Sequence, residues 1–263
     1  MIVSVKQLRD NRRGYLSWAV VIAALAGLYA SLWPVFGHNS GLASMVNSFP
    51  QAMKDAFHMQ DYSTAAGYFS STVFGLLVPL LMAVFAIMAG TQAIAGDEQA
   101  GTLDLVLAHP VGRTRLALAR LGAVVAAIIG AGVLLLALIL AIRVPAKFSE
   151  LSPVDIAATC LQLTLFGICF AAIAFGIGAY TGRRAITLGA AAYLAVVSYL
   201  ADSFLPQISV LKWTQNVTPF GWYLNGEPLR NGIQWGNCAL LLGLGAVFAA
   251  IGIWQFDRRD LTA

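Results

Sequence analysis

Six long stretches without Asp, Glu, Lys or Arg constrain this chain more than any other feature of its sequence. A helix that crosses a bilayer needs about 20 apolar residues, and each stretch approaches or exceeds that length. Uniformly apolar runs lack the alternation of a membrane β-barrel, whereas a helix satisfies its own backbone hydrogen bonds in lipid. The sequence therefore predicts an all-α, polytopic protein with a single membrane domain over 1–263 and six transmembrane helices at 15–36, 69–95, 121–142, 156–180, 185–201 and 233–256.

The composition and the distribution of positive charge support this interpretation and predict an orientation. Only 11% of the residues are charged, against about 25% in a soluble domain. Lys and Arg favour cytoplasmic loops, and with six crossings both termini lie on one side. That side would hold eleven of the sixteen basic residues, namely Lys6, Arg9, Arg12, Arg13, Arg113, Arg115, Arg120, Arg183, Arg184, Arg258 and Arg259.

Both termini are therefore predicted to be cytoplasmic. Residues 1–14 alternate apolar and basic side chains, which predicts an amphipathic lead on the inner leaflet; a disordered basic tail is the alternative. The net charge of +4 is small, so nothing indicates a nucleic-acid partner.

The cytoplasmic loop at 96–116 is the most polar segment between two apolar runs. Asp97 and Glu98 favour the N-terminal end of a new helix, because acidic side chains complement the helix dipole there. Pro110 disfavours helical backbone at the residue before it. The loop is therefore predicted to contain a short helix over about 97–108 that follows a break at Gly96.

This predicted helix has a narrow apolar face. Leu103, Val106 and Leu107 are spaced at i, i+3 and i+4, and Asp104 lies off that face. Such a helix could rest on the lipid headgroups, or it could be a rigid element that a soluble partner grips. The residues alone favour neither alternative.

Motifs for chemistry are missing from the sequence. It contains no GxxxxGK[ST] phosphate loop, no HExxH and no GxSxG. The three histidines fall outside the predicted spans, and the three cysteines have no metal-site spacing. We therefore expect a non-enzymatic chain with no catalytic, cofactor or metal site of its own. Ion-coupled transporters keep charged residues in mid-membrane, and their scarcity here indicates that energy for any transport enters from outside the bilayer.

Three segments of the chain resemble a known family. Residues 98–115, EQAGTLDLVLAHPVGRTR, are similar to the pattern E-x-x-x-G-T-L-[ED]-L-L-L-[AS]-x-P-[VI]-[SG]-R-x after the second span of ABC-2 type transporter permeases. The basic lead at 6–13 and the motifs at 218–220 (TPF) and 227–229 (EPL) also resemble this family. Gly112 stands where Ser is frequent.

The resemblance implies a subunit of an ATP-driven exporter in the cytoplasmic membrane of a prokaryote. Its partners would be a second six-span permease, identical or homologous, and two ATP-binding cassette subunits that carry ATP and Mg. The lead would be the connecting helix, and the loop helix would be the coupling helix that docks on an ATPase. The implied docking residues are Asp97, Glu98, Gly101, Thr102, Leu103, Asp104, Leu107, His109, Pro110, Arg113 and Arg115.

In this family the second and fifth spans line the cavity between the two permeases. The matching positions would be Phe74, Leu77, Phe85, Met88, Tyr193 and Tyr199. An apolar, aromatic lining suits a hydrophobic or amphipathic cargo such as a drug, peptide or lipid. Lipid contact or helix packing is the alternative for each of these side chains.

Three other functions compete with the exporter. A secondary transporter or channel would work without an ATPase. A membrane enzyme acting on lipid would need a nucleophile and a base at one depth. A membrane anchor or regulatory subunit of another complex is the reading that the sequence opposes least. An ATPase with a phosphate loop in the neighbouring reading frame would favour the exporter.

Overall fold

The chain forms a bundle of long helices. The computed structural model describes residues 2–36, 40–56, 59, 61–62, 64–99, 101 and 112–259. Six helices among these residues are long and apolar enough to cross a membrane, and the described part contains no β-strand. The predicted all-α class and the number of spans are thus confirmed. Spans 1 to 6 are Asn11–Phe36, Ala65–Gln99, Arg113–Ile142, Pro153–Thr181, Arg184–Gln207 and Trp235–Arg258.

The basic lead is part of the first long helix. One helix covers Ile2–Ser31, and a short turn of helix at Trp33–Phe36 completes span 1. The backbone of the lead is therefore helical and continuous with the span, with no break between the two.

Span 2 is longer and less regular than the sequence predicts. It is a continuous helical path made of Ala65–Tyr68, a π-helical segment Phe69–Leu77, the α-helix Val78–Thr91, a second π-helical segment Gln92–Gly96 and a last turn Asp97–Gln99. The predicted break at Gly96 is wrong, because Asp97 keeps helical backbone angles and its carboxylate is bound by another span. Gly101, two residues beyond the end of span 2, has left-handed backbone angles, with φ of 67°.

The remaining long helices extend past at least one of their predicted bounds, and the helix of span 6 begins two residues later than predicted. The helix of span 3 begins at Arg113 rather than at residue 121, because its arginines find polar partners at the end of the bundle. The other long helices are Pro153–Thr181, Arg184–Phe204 and Trp235–Arg258. Shorter helices lie at Ser40–Asn47, Gln51–Ala56, Leu205–Gln207, Ser209–Asn216, Pro219–Leu224 and Pro228–Asn231.

Span 4 is the central helix of the bundle. Of the 18 most apolar consecutive residues of span 4, 78% are buried inside the chain, and the corresponding share for span 2 is 67%. In each of the other spans at most 33% of the corresponding residues are buried. Small residues allow its neighbours to approach closely. Gly90 of span 2 lies against the backbone of Ala171, and Gly252 of span 6 lies against the backbone of Gly176.

The two ends of the bundle differ in chemistry. The end at which spans 2, 4 and 6 finish and spans 3 and 5 begin is here called the terminal face. Of the four ion pairs among the described residues, it carries the two that are less exposed. At the opposite face, the buried ring of Tyr68 packs against Trp33, Phe36, Tyr62 and Phe69. Its hydroxyl donates to the Tyr29 carbonyl at 2.9 Å, which joins span 2 to span 1.

Close packing between spans 4 and 6 predicts a position-specific effect of adding one methyl group. A Cβ at residue 252 would lie 2.6 Å from the Gly176 Cα, whereas a Cβ at residue 243 of the same helix would meet nothing within 4 Å. We expect Gly252→Ala to lower the free energy of unfolding by about 1–3 kcal/mol, because overpacking forces the helices apart. Gly243→Ala is the matched control; it should be neutral or stabilising by up to about 1 kcal/mol, since Ala favours helix. Thermal unfolding in detergent compares the two, and equal melting temperatures would contradict this account of the packing.

Candidate functional site: the terminal face

A buried arginine ties the end of span 2 to the start of span 3. The Arg120 side chain lies 2.9 Å from the Asp97 carboxylate and donates to the Ala93 carbonyl at 2.7 Å. Only 5% of Arg120 is exposed. Ala93 belongs to the second π-helical segment, where widening of the helix changes the partners of the backbone carbonyls. Arg120 thus satisfies both a carboxylate and a main-chain oxygen of span 2.

A second ion pair ties the end of span 2 to the end of span 6. Glu98 binds the Arg259 guanidinium, and both side chains are largely buried. Two further bonds join spans 3 and 6: Arg113 donates to the Arg259 carbonyl at 2.7 Å, and Thr114 donates to the Asp257 carboxylate at 3.1 Å. Spans 2, 3 and 6 are therefore cross-linked at this face by charged and polar side chains.

Gly182 makes room for the pair between Glu98 and Arg259. It ends span 4 in the left-handed region, with φ of 66°, where glycine is favoured because it has no Cβ. A Cβ at this position would also lie 2.6 Å from the Glu98 Oε1 atom. The end of span 4 thus packs directly beneath the ion pair.

The predicted docking residues divide into three groups. Asp97, Glu98 and Arg113 bind partners within the chain. Gly101 and Arg115 are exposed. The other predicted residues, Thr102, Leu103, Asp104, Leu107, His109 and Pro110, lie outside the described residues, as does the rest of the predicted coupling helix apart from Gln99. Docking on an ATPase stays a prediction for all of them.

An open depression lies on the terminal face between the end of span 2 and the start of span 5. Its volume is about 380 Å³, and its walls are Gly96, Gln99, Arg184, Ala185 and Leu188. Arg184 is exposed at its edge. The depression combines a positive charge with an apolar wall, and could therefore accept an acidic or apolar side chain from another protein.

The structure separates the predicted lining residues into inward-facing and outward-facing ones. Phe74 and Phe85 are buried inside the chain, and Phe85 packs against Tyr15 and Trp18 of span 1. Met88 and Tyr193 are exposed, whereas Leu77 and Tyr199 are half-buried. Tyr199 packs edge-on against Phe220.

A different row of residues forms the open face of span 2. Leu76, Leu80, Val84 and Met88 are all exposed and follow one another at intervals of four. Span 5 exposes Tyr193, Val196, Val197 and Leu200. Sequence reasoning found only Met88 and Tyr193 among these, although the four-residue spacing of the aliphatic side chains in span 2 was a signal for one helical face.

The segment Thr218–Asn225 occupies the opposite end of the bundle and was not predicted as a site. The Thr218 hydroxyl caps the helix Pro219–Leu224 by accepting from the Gly221 N–H at 3.1 Å. Phe220 and Tyr223 are buried against Phe166 of span 4. Burial raises the pKa of the Tyr223 hydroxyl well above 10, so it remains a hydrogen-bond donor.

Cysteine and metal chemistry find no site in the described part of the chain. No group of three or more His, Cys, Asp or Glu side chains there could hold a metal ion. Cys160, Cys169 and Cys238 are buried and make no disulfide. The described terminal face can therefore bind and position protein groups, but it offers no assembled set of metal ligands.

Comparison with protein families gives the class of this bundle. Residues 7–257 match the family model described as "Multidrug efflux system permease Rv1217c, C-terminal domain". The chain belongs to this permease family. The match includes all six spans apart from Arg258, the last residue of span 6, and both ion pairs of the terminal face apart from Arg259. No curated protein matches the chain. The permease is thus a multi-pass membrane protein of a transporter family.

The buried position of Arg120 predicts a strong effect of its removal. Arg120→Leu leaves the Ala93 carbonyl and the Asp97 carboxylate without their common partner, and breaking a buried ion pair costs about 3–5 kcal/mol. Because Asp97 keeps access to water, we expect a loss near the lower end of that range. Arg115→Leu, on the exposed side of the same helix, is the matched control and should change the free energy of unfolding by less than about 0.5 kcal/mol. Chemical unfolding of both variants in detergent tests this; equal effects would show that the buried pair is not stabilising.

Proposed function

We propose that this permease is the membrane-spanning subunit of an ATP-driven exporter of the ABC-2 type. Separate ATPase subunits would supply the energy, and a second permease subunit would complete the translocation path. The family match supports an efflux permease. The signature at 98–115, between spans 2 and 3, supports the ABC-2 type.

The cross-linked terminal face is the observation that carries this proposal. The signature segment connects span 2, which ends at Gln99, to span 3, which begins at Arg113. The end of span 2 is joined to the first part of span 3 through Asp97 and Arg120. The end of span 2 is also joined to the end of span 6 through Glu98. A force applied to the segment would therefore reach spans 2, 3 and 6 together instead of bending one helix end. Such a connection suits a subunit that receives mechanical work.

The exposed part of the terminal face supplies a surface for the ATPase. Arg115 and Arg184 are exposed there, and the 380 Å³ depression lies beside the end of span 2. A partner with acidic and apolar side chains would complement this surface. Asp97 and Glu98 would act indirectly, by positioning the docking segment rather than by contacting the ATPase.

The open faces of spans 2 and 5 are the proposed side of the translocation path. Leu76, Leu80, Val84 and Met88 present an aliphatic row, and Tyr193 adds an exposed aromatic ring. Apolar lining favours hydrophobic or amphipathic cargo. A second copy, or a homologous permease, would face this surface across the path.

A secondary transporter is the main alternative from another class. It would need ionisable groups near mid-membrane. Within the described spans the buried charged residues are Arg120 and Asp202, and each lies near an end of its span. This distribution favours energy input at the terminal face. An anchor for another complex would bind a partner but show no ATP-dependent movement of cargo.

Reversing one charge in the signature segment tests the docking. We expect Asp104→Arg to reduce copurification of the tagged permease with the ATPase encoded beside it by about tenfold or more, because the new positive charge would repel the basic group of the ATPase with which Asp104 is proposed to pair. Glu98→Arg is a poorer test, since it also breaks the pair with Arg259. Glu150→Arg, an exposed acid of the opposite face, is the control. Normal copurification and transport by the Asp104 variant would refute the proposed interface.

Single cysteines test the orientation. Cys160, Cys169 and Cys238 are at most 4% exposed, so they should not react with a maleimide that cannot cross membranes. We expect Glu150→Cys to be labelled in intact cells and Arg115→Cys only after lysis, because the terminal face is proposed to be cytoplasmic. The reverse pattern of labelling would invert the orientation and remove the proposed access of a cytoplasmic ATPase.

A further inference from the structure

Span 2 contains a main-chain carbonyl that its own helix cannot satisfy. In the π-helical segment Phe69–Leu77 each carbonyl accepts from the N–H five residues later, and the last such bond runs from the Val78 N–H to the Val73 carbonyl. In this register the Phe74 carbonyl would accept from residue 79. Residue 79 is Pro, which has no N–H.

The missing donor is supplied from another part of the chain. The Tyr223 hydroxyl donates to the Phe74 carbonyl at 3.0 Å. Only 1% of Tyr223 and 2% of Phe74 are exposed. Because a buried carbonyl without a partner is costly, this bond compensates for Pro79 in a place that bulk water does not reach.

Tyr223 connects span 2 to spans 4 and 5. Its segment is bound to span 5 by the Phe220 N–H, which donates to the Ser198 hydroxyl at 3.2 Å, and by Asn225, which donates to the Asp202 carboxylate at 3.1 Å. Gln162 of span 4 donates to the Trp222 carbonyl at 3.4 Å. The Tyr223 hydroxyl thus makes a hydrogen bond that joins this anchored segment to span 2.

We propose that the Tyr223 hydroxyl is a positioning group that latches a hinge in span 2. The hinge is the junction between the π-helical segment and the α-helix that begins at Val78. When the hydroxyl leaves the Phe74 carbonyl, the part of span 2 before Pro79 moves relative to the part after it. A cavity of about 30 Å³, roughly the volume of one water molecule, lies beside the bond, and its walls include Phe74, Thr159 and Tyr223.

A double-substitution cycle with Pro79 tests the latch directly. Tyr223→Phe removes the hydroxyl and keeps the ring that packs on Phe166. Pro79→Ala returns an N–H at the position that the π register needs. We expect Tyr223→Phe to speed amide hydrogen exchange in residues 70–78 about tenfold in the native background, as for a lost buried hydrogen bond. In the Pro79→Ala background the same change should have less than a twofold effect.

The control and the contrary outcome are both measurable by exchange. Tyr199→Phe also removes a phenol hydroxyl beside Phe220, and it should leave exchange in residues 70–78 unchanged. Pro79→Ala alone should slow exchange in this segment, which keeps the test informative even if Tyr223→Phe does not accumulate in the membrane. Equal effects of Tyr223→Phe in the two backgrounds, or faster exchange in Pro79→Ala alone, would overturn the latch.

The role of the latch in transport rests on the proposed function and has its own readout. In reconstituted vesicles with the ATPase, Tyr223→Phe should change the maximal rate of cargo movement at least threefold and leave the KM for cargo within twofold, because the latch governs a conformational step. The Pro79→Ala, Tyr223→Phe double variant should return towards the native rate. A lower maximal rate accompanied by a change in KM of similar size would contradict a positioning role. One outcome would separate the two proposals. If Pro79→Ala suppresses the effect of Tyr223→Phe on hydrogen exchange, but the native protein shows no ATP-dependent movement of cargo, the exporter is refuted and the latch stands.

Discussion

The guanidinium of Arg120 is the group on which the terminal face depends. It lies buried between the Asp97 carboxylate and the Ala93 carbonyl, so one cation serves two acceptors of span 2. A buried charge is tolerated only when it is paired and hydrogen-bonded. This requirement holds the start of span 3 against the end of span 2, although residues 100–112 separate the two spans in the sequence. The pair between Glu98 and Arg259 extends the same connection to span 6.

Span 2 combines a regular middle with two irregular ends. The middle helix Val78–Thr91 packs against span 4, where Gly90 allows backbone contact. Each π-helical end offers a carbonyl to a side chain from elsewhere: Ala93 to Arg120, and Phe74 to Tyr223. Irregular helical turns are common at functional sites. In this permease they let the two ends of one span bind side chains from different parts of the chain.

Several features could be predicted from residues alone because their physical cause is local. Long uncharged runs must be helical in lipid, so the number of spans and the all-α class follow directly. The ends of the spans were less predictable, because charged residues were used to bound the predicted spans. Arg113 and Arg120 lie inside the helix of span 3, since partners on spans 2 and 6 satisfy them. The inward position of Phe85 was missed for a related reason, because a uniformly apolar helix does not indicate which face meets Tyr15 and Trp18.

By itself the sequence determined the membrane class, the six spans and the signature segment at 98–115, because each depends on short-range pattern or on the identity of adjacent residues. The tertiary structure alone decided that Asp97 and Glu98 bind Arg120 and Arg259, and that Tyr223 completes the turn broken by Pro79. These contacts join residues from distant parts of the chain. They depend on how each helix is rotated about its axis and how close its neighbours approach, and glycines such as Gly176 and Gly182 set that approach only once the helices are packed.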